Sequence, residues 1–282
     1  MIRSLAIGSF DGIHLGHRRV ISRALEEGPA DVLCFEPVPR QYFQSHAEPL
    51  RLTTSMERMA AVRALGAGLV VWPFDPPTAS MEPGAFLDAV AEGCRRLVVG
   101  YDFHFGRGRS GGPELLGDWC RQRGVEAVIV GAVQREGSPV KSRRIRELLS
   151  RGETNEAEGL LGRPYTVIAP VSRGRGHGRK LGFRTLNLRT PAPKLLPAPG
   201  SYAARIRLAG ASWDGVAFVP RGVRRLLEVH LPGFGGVPYG TAVQAELGRY
   251  IAAPRDGLGE EELKAKIEQE VEKAMEVCRT WR

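Results

Sequence analysis

The sequence predicts an α/β fold: a parallel-sheet domain followed by a small β-barrel domain with a C-terminal helix. Three observations carry this. At 282 residues the chain is long for one compact domain and comfortable for two. Its first half alternates strand-length apolar runs with amphipathic stretches, the pattern of a parallel sheet covered by helices on both faces. From Tyr165 onward the segments become short, β-rich and broken by Gly and Pro, which suits a small closed barrel. The boundary is expected at Gly162-Arg163-Pro164, giving domains over 1–162 and 163–282.

In the first half, strands are expected over 5–8, 32–35, 69–74, 97–100 and 125–130. The first helix covers 17–27. Thr54-Ser55-Met56-Glu57 has the spacing of a capping box that opens a helix over 55–65. Helices over 83–93 and 113–123 each begin with proline, where the missing N–H costs nothing. Ser142 precedes a helical stretch over 143–150. In the second half, strands are expected over 201–208, 215–219, 226–231 and 242–246. A final amphipathic helix over 260–279 places Leu263, Ile267, Val271 and Met275 on one stripe, read as packing.

Composition narrows the class. Hydrophobic content of 43% and charged content of 25% are ordinary for a soluble globular chain. No apolar run is long enough to span a bilayer and no signal-peptide pattern opens the chain, so the expected compartment is the cytoplasm. Cys34, Cys94, Cys120 and Cys278 show no metal or disulfide spacing and read as buried free thiols. A net charge of +9 favours anionic partners. Charge alone does not choose between nucleic acid and nucleotides. The arginines are spread along the chain, with no aromatic-interleaved basic tract.

The most specific segment is Gly8-Ser9-Phe10-Asp11-Gly12-Ile13-His14-Leu15-Gly16-His17, between the first strand and the first helix. Such a junction makes a phosphate site. Glycines let backbone N–H groups approach an anion, and the helix N-terminus adds a favourable dipole. His14 and His17 share a face if the turn is helical. Imidazole donors there suit a triphosphate that is losing pyrophosphate. A metal pair would need further ligands, and no clear set is near. Two surface histidines at a helix start are the bland alternative. Asp11 facing a phosphate would be unfavourable, so it is expected to orient the loop or a metal–nucleotide complex. Ser142 can cap its helix or, with arginines in the following turn, clamp a second phosphate.

That segment resembles the Gly-x-Phe-Asp-Gly-x-His-x-Gly-His signature of the nucleotidylyltransferase superfamily. Val98-Val99-Gly100-Tyr101-Asp102-Phe103-His104-Phe105-Gly106-Arg107-Gly108-Arg109-Ser110-Gly111 is similar to the second signature of bacterial FAD synthetases. Arg144-Ile145-Arg146-Glu147-Leu148-Leu149 and Leu160-Leu161-Gly162-Arg163-Pro164-Tyr165 resemble the end of their first domain. Gly176-His177-Gly178-Arg179-Lys180-Leu181-Gly182-Phe183 resembles the glycine-rich start of their riboflavin kinase module. The chain thus resembles the prokaryotic bifunctional riboflavin kinase/FAD synthetases over nearly its whole length.

The resemblance implies a Rossmann-like nucleotidylyltransferase domain followed by a β-barrel riboflavin kinase-like domain. It implies AMP transfer from ATP to FMN, giving FAD and pyrophosphate, with Mg²⁺ as cofactor. The partners it implies are ATP, FMN and riboflavin, without a membrane and without nucleic acid. It places His14, His17, Ser142 and Arg146 in adenylyl transfer, and favours the clamp for Ser142. Gly8, Phe10, Asp11, Gly16, Asp102, Phe103, Arg144 and Gly178 would bind nucleotide or flavin. Thr185 and Asn187 would hold Mg²⁺, and Glu228 would act as the kinase base.

This chain also departs from the pattern. Lys141-Ser142-Arg143 stands where the family has Ser-Ser-Thr, Val38 replaces a histidine and Tyr101 replaces a glutamate. Arg184 replaces the proline before Thr185, and the segment 219–225 is shorter than the family's Gly-Thr-Arg-Pro-Thr loop. The losses in the second half imply an impaired or absent kinase beside retained adenylyl transfer. Full bifunctionality is the alternative. A flavin- or RNA-binding regulator on the same scaffold is a further alternative, against which the intact His-x-Gly-His loop argues.

Overall fold

The computed structural model describes residues 4–44, 51–174, 178 and 181–281. Its contacts divide the chain into two units, Met1–Pro49 with Arg58–Ser142, and Leu50–Glu57 with Arg143–Arg282.

The first unit is built on five parallel strands: β1 (Ser4–Ile7), β2 (Ala30–Glu36), β3 (Gly68–Pro73), β4 (Arg96–Gly100) and β5 (Glu126–Val130). Their order is β3-β2-β1-β4-β5. Side-chain alternation buries both faces of this sheet. Leu5 and Ile7 turn to one side, where Phe86, Leu87, Leu116 and Trp119 cover them. These belong to α5 (Pro83–Val90) and α6 (Pro113–Arg123). Ala6 turns to the other side, toward Val20 and Ile21 of α1 (Leu15–Leu25) and Val62 of α3 (Ser55–Ala64). Burial on both faces is why the strands read as unbroken apolar runs. Strand order reverses between β1 and β4, so the carboxyl ends of those two strands flank the crevice where ligands of such sheets bind.

All five strands were legible in the sequence. Two helices, α2 (Pro39–Phe43) and α4 (Pro76–Ser80), and a hairpin of β6 (Gln134–Arg135) and β7 (Ser138–Pro139) were not. Five residues are too few to show a helical period. The capping box is present in both directions: the Thr54 N–H donates to Glu57 Oε2 (2.8 Å) and the Glu57 N–H to Thr54 Oγ1 (3.2 Å).

The second unit contains α7 (Ser142–Ser150) from Arg143 on and α8 (Thr154–Leu161), then a closed antiparallel barrel. Its strands are β8 (Tyr165–Ser172), β9 (Thr185–Arg189), β10 (Gly200–Leu208), β11 (Ala211–Val219), β12 (Leu226–His230) and β13 (Ala242–Ala252). They run in the order β10-β11-β12-β9-β8-β13, and β13 pairs back onto β10. Closure removes sheet edges.

A buried lysine organises this unit. Lys194 Nζ donates to Glu57 Oε2 (2.8 Å) and to the carbonyls of Leu52 (2.8 Å) and Thr166 (2.7 Å). Glu57 Oε1 accepts from the Ile168 N–H (2.8 Å). Both charged side chains are almost wholly buried, at 0% and 3% exposure, so each depends on the other.

The last helix, α9 (Glu260–Thr280), corrects the expected stripe. Leu263, Ile267, Val271 and Met275 are only half-buried, while Glu270, Ala274 and Cys278 lie deepest. Ala274 and Cys278 are small, which lets the helix settle against Ala203 and Val216 of the barrel. Glu270 is tolerated there because Ser201 Oγ donates to it (2.6 Å) and Lys266 pairs with it. All four cysteines are buried.

Candidate active site

The loop after β1 is strained in a specific way. Phe10, Gly12 and Ile13 have φ of 47°, 95° and 43°. Left-handed backbone costs a non-glycine residue about 1–3 kcal/mol, and a β-branched residue there is an outlier. The strain is held by the core. Phe10 and Ile13 are 1% and 2% exposed and pack with Val20, Ile21, Val32, Val98 and Val130. Burying two such side chains contributes about 1.5–3 kcal/mol each, enough to keep the loop bent.

His14 caps α1 with extended backbone, and its Nδ1 accepts from the His17 N–H (3.3 Å). An accepting Nδ1 leaves the ring proton on Nε2, which makes His14 a donor at that nitrogen. The His14 and His17 rings stack at 3.6 Å with 15° between planes. Gly16 sits in a tight spot, where a side chain would have to push the His14 ring aside. A Cβ there would meet the His14 ring at 3.2 Å and the Val140 carbonyl at 3.6 Å. Gly8 gives way to the Phe10 ring in the same manner.

Asp11 is buried, at 3% exposure. Its carbonyl accepts from Ser142 Oγ (2.8 Å), so the start of α7 is tied to the loop. Arg144 and Arg146 are half-buried on α7, whose buried face is Ile145, Leu148 and Leu149. Asp102 follows β4 and pairs with Lys141 Nζ (3.2 Å). Phe103 stacks on Phe105 (centroids 5.3 Å) at the edge of the core. Thus Gly8, Phe10, Asp11, His14, Gly16 and His17 share one loop and helix start, with Ser142 fastened to it.

Sequence reasoning missed Arg58. Its side chain is fully buried, and it donates to the carbonyls of Ser9 (3.2 Å) and Phe35 (3.4 Å) and to Glu36 Oε2 (2.8 Å). It joins the ends of β1 and β2 behind the loop. An arginine in an otherwise ordinary helix carries no sequence signal for this.

In the second unit, Glu228 lies opposite Asn187 and His230 opposite Thr185 across the β12–β9 ladder. Leu227 and Leu188, one residue along in register, are fully buried. Alternation therefore puts Thr185, Asn187, Glu228 and His230 together on the face opposite the core. Asn187 Nδ2 lies 3.5 Å from the Thr185 carbonyl, which turns Oδ1 away from that carbonyl. Gly174, a second residue missed, lies so close that a Cβ would meet Asn187 Nδ2 at 2.3 Å. Gly178 touches the Phe183 carbonyl, where a Cβ would come within 2.6 Å. Gly176, His177, Arg179 and Lys180 lie outside the described residues.

Among the described residues no group of three or more His, Cys, Asp or Glu could hold a metal ion. The hydroxyl of Thr185 and the amide oxygen of Asn187 are nevertheless hard oxygen donors. They suit Mg²⁺, which takes few protein ligands and shares substrate phosphates and water.

A parallel sheet whose first strand runs into a glycine-rich loop and a histidine-bearing helix start defines a nucleotidyltransferase, here with a barrel unit after it. Residues 3–144 match the family model described as FAD synthetase, and residues 161–278 that described as riboflavin kinase. A Haemophilus influenzae protein named bifunctional riboflavin kinase/FMN adenylyltransferase is 32% identical, over 96% of this chain and 92% of its own length. Proteins of the same name from Pseudomonas fluorescens and Escherichia coli are 34% and 32% identical, over 83% and 93% of this chain and 79% and 88% of theirs. A solved structure described as a macrolide-efflux protein from Streptococcus pneumoniae covers 100% of this chain and 95% of its own at a TM-score of 0.86 and 25% identity. The chain belongs to the bifunctional riboflavin kinase/FMN adenylyltransferase family and is an enzyme. Among the described residues no helix is long and apolar enough to cross a membrane.

Proposed function

We propose that the chain is a cytoplasmic enzyme that transfers AMP from ATP to FMN through the part over 1–162, while riboflavin phosphorylation by the part over 163–282 is weak. The observation that supports the first reaction is the core-held loop that stacks His14 on His17 at a helix start. An FMN phosphate oxygen attacks the α-phosphorus of ATP. The bond from that phosphorus to the α,β-bridging oxygen breaks, and its electron pair leaves with pyrophosphate. The nucleophile is already anionic, so no general base is needed. Catalysis then rests on positioning and on neutralising the leaving group. His14 donates from Nε2, His17 and the loop N–H groups face the triphosphate, Ser142 holds the loop in place through the Asp11 carbonyl, and Arg146 serves the triphosphate as a cation. Gly8, Phe10, Asp11 and Gly16 shape the loop, with Asp102, Phe103 and Arg144 at the rim of the nucleotide and flavin sites.

Phosphorylating riboflavin is a different problem, because the attacking hydroxyl is neutral and needs a base. Glu228 takes that role, Thr185 and Asn187 hold Mg²⁺, and Gly178 admits the nucleotide. Mg²⁺ supplies neutralisation of phosphate charge when bound. The weak-kinase reading is supported by Arg184 in place of proline and by the short β11–β12 connection over 220–225. A second reading, full bifunctionality, is favoured by Glu228 lying directly across from Asn187. One experiment decides. The protein is incubated with ATP and Mg²⁺, once with FMN and once with riboflavin, and the flavins are resolved by chromatography. FAD from FMN without conversion of riboflavin is expected. Riboflavin turnover matching FMN turnover, and lost in Glu228→Gln, would establish the second reading.

A further inference from the structure

The surroundings of Lys141 give its ammonium a task. It follows Val140, whose carbonyl lies 3.6 Å from where a Gly16 Cβ would stand. It precedes Ser142, whose hydroxyl donates to the Asp11 carbonyl at 2.8 Å. The segment 140–142 therefore lies along the loop that carries His14 and His17. From there Lys141 reaches across to the end of β4. Its Nζ is 3.2 Å from Asp102 Oδ2 and 5.6 Å from the Tyr101 ring centroid. The ammonium thus spans the carboxyl ends of β1 and β4, the place where strand order reverses and where open parallel sheets take their ligands.

The pair is built to be exchanged. Lys141 and Asp102 side chains are 51% and 53% exposed, and an exposed ion pair is worth only about 0–1 kcal/mol. A polyphosphate offers an ammonium several oxyanions in place of one half-hydrated carboxylate. Hydrogen bonds to Asp102 and Tyr101 raise the lysine's pKa, so it stays charged while it waits. A purely decorative surface pair would have no reason to sit one residue from a hydroxyl locked onto the loop.

We infer that Lys141 is a substrate contact of the adenylyl-transfer site, an ammonium that leaves Asp102 to bind the pyrophosphate half of the nucleoside triphosphate. This rests on the adenylyl-transfer reading of the first unit. It also explains why Tyr101 can stand beside Asp102, since the ring face holds the same cation.

The test compares wild type, Lys141→Gln and Lys141→Arg for binding of ATP and of inorganic pyrophosphate by calorimetry, for KM of ATP and FMN, and for melting temperature. Lys141→Gln should weaken ATP and pyrophosphate binding about tenfold, the scale of one charge-assisted contact. The KM of FMN and the melting temperature should stay put, and Lys141→Arg should recover most of the affinity. Unchanged ATP and pyrophosphate affinity in Lys141→Gln overturns the inference. So does a variant in which FMN and ATP weaken together while the melting temperature falls. A wild-type protein that makes no FAD, yet loses pyrophosphate affinity in Lys141→Gln, upholds the contact and removes the adenylyl-transfer reading instead.

Discussion

The loop over 8–17 and the face formed by Thr185, Asn187 and Glu228 hold their side chains in opposite ways. The loop uses left-handed backbone at Phe10 and Ile13, and stays bent because their side chains are sunk in the core. The barrel face uses ordinary strand geometry, with Glu228 opposite Asn187 by register alone. A strained site is over-determined by packing at its own residues. A site on regular strands inherits its geometry from the scaffold, so its weak points lie elsewhere. The first region should therefore fail through turnover and the second through stability.

The largest expected effect breaks the scaffold side of this comparison. Lys194→Met removes the partner of a Glu57 that is only 3% exposed. Stranding a buried carboxylate costs about 3–5 kcal/mol, read as a shift of the urea midpoint. A midpoint within a few tenths of wild type would mean that Glu57 is not charged in the folded protein.

Next in size is the strained side. His17→Ala should lower FAD synthesis by roughly 10²-fold or more, the scale of one preorganised donor. Its melting temperature should hardly move, since the loop is gripped by Phe10 and Ile13. Turnover near wild type would remove His17 from the reaction.

Arg146→Ala sharpens the line between clamp and scaffold. A clamp gives weaker ATP binding at constant melting temperature. A residue that only decorates the helix gives the reverse, with stability down by about 1 kcal/mol. Both quantities are measured on one sample.

The smallest effect belongs to the second unit, outside the barrel. Trp281 Nε1 donates to both oxygens of Glu158 (3.3 Å each), but burial still raises the carboxyl pKa. A folded pKa above the unfolded one means that this group's stability contribution is complete below the ordinary carboxylate range. It is lost as pH rises through the raised value. Glu158→Gln should therefore gain stability relative to wild type at neutral pH, and the gain should vanish on acidification. A gain that persists at low pH would assign it to packing instead of charge.

Much of this was readable from the sequence because the signals are local. Alternation of apolar runs marked the five parallel strands. Thr54 and Glu57 announced their reciprocal cap at a spacing of three residues. The glycine and histidine spacing after β1 marked the loop, since glycines admit close backbone approach. The barrel was legible as a class, while β8 and β9 were not placed. In β9 three of the five residues are polar, and in β8 Pro170 stands inside the strand.

What the sequence alone determined, then, is what depends on neighbours in the chain: element type, caps and the glycine-rich loop. Only the tertiary structure decided the rest, because it depends on partners far apart in sequence. Arg58 meets Ser9 from 49 residues away, and Lys194 meets Glu57 from 137. The buried side of α9 is another such case. Helical periodicity offers a broad apolar stripe, but the small side chains of Ala274 and Cys278, and the hydroxyl of Ser201 waiting for Glu270, choose which edge of it goes inward. Periodicity sets which residues share a face, and close packing against a particular neighbour sets how that face is turned.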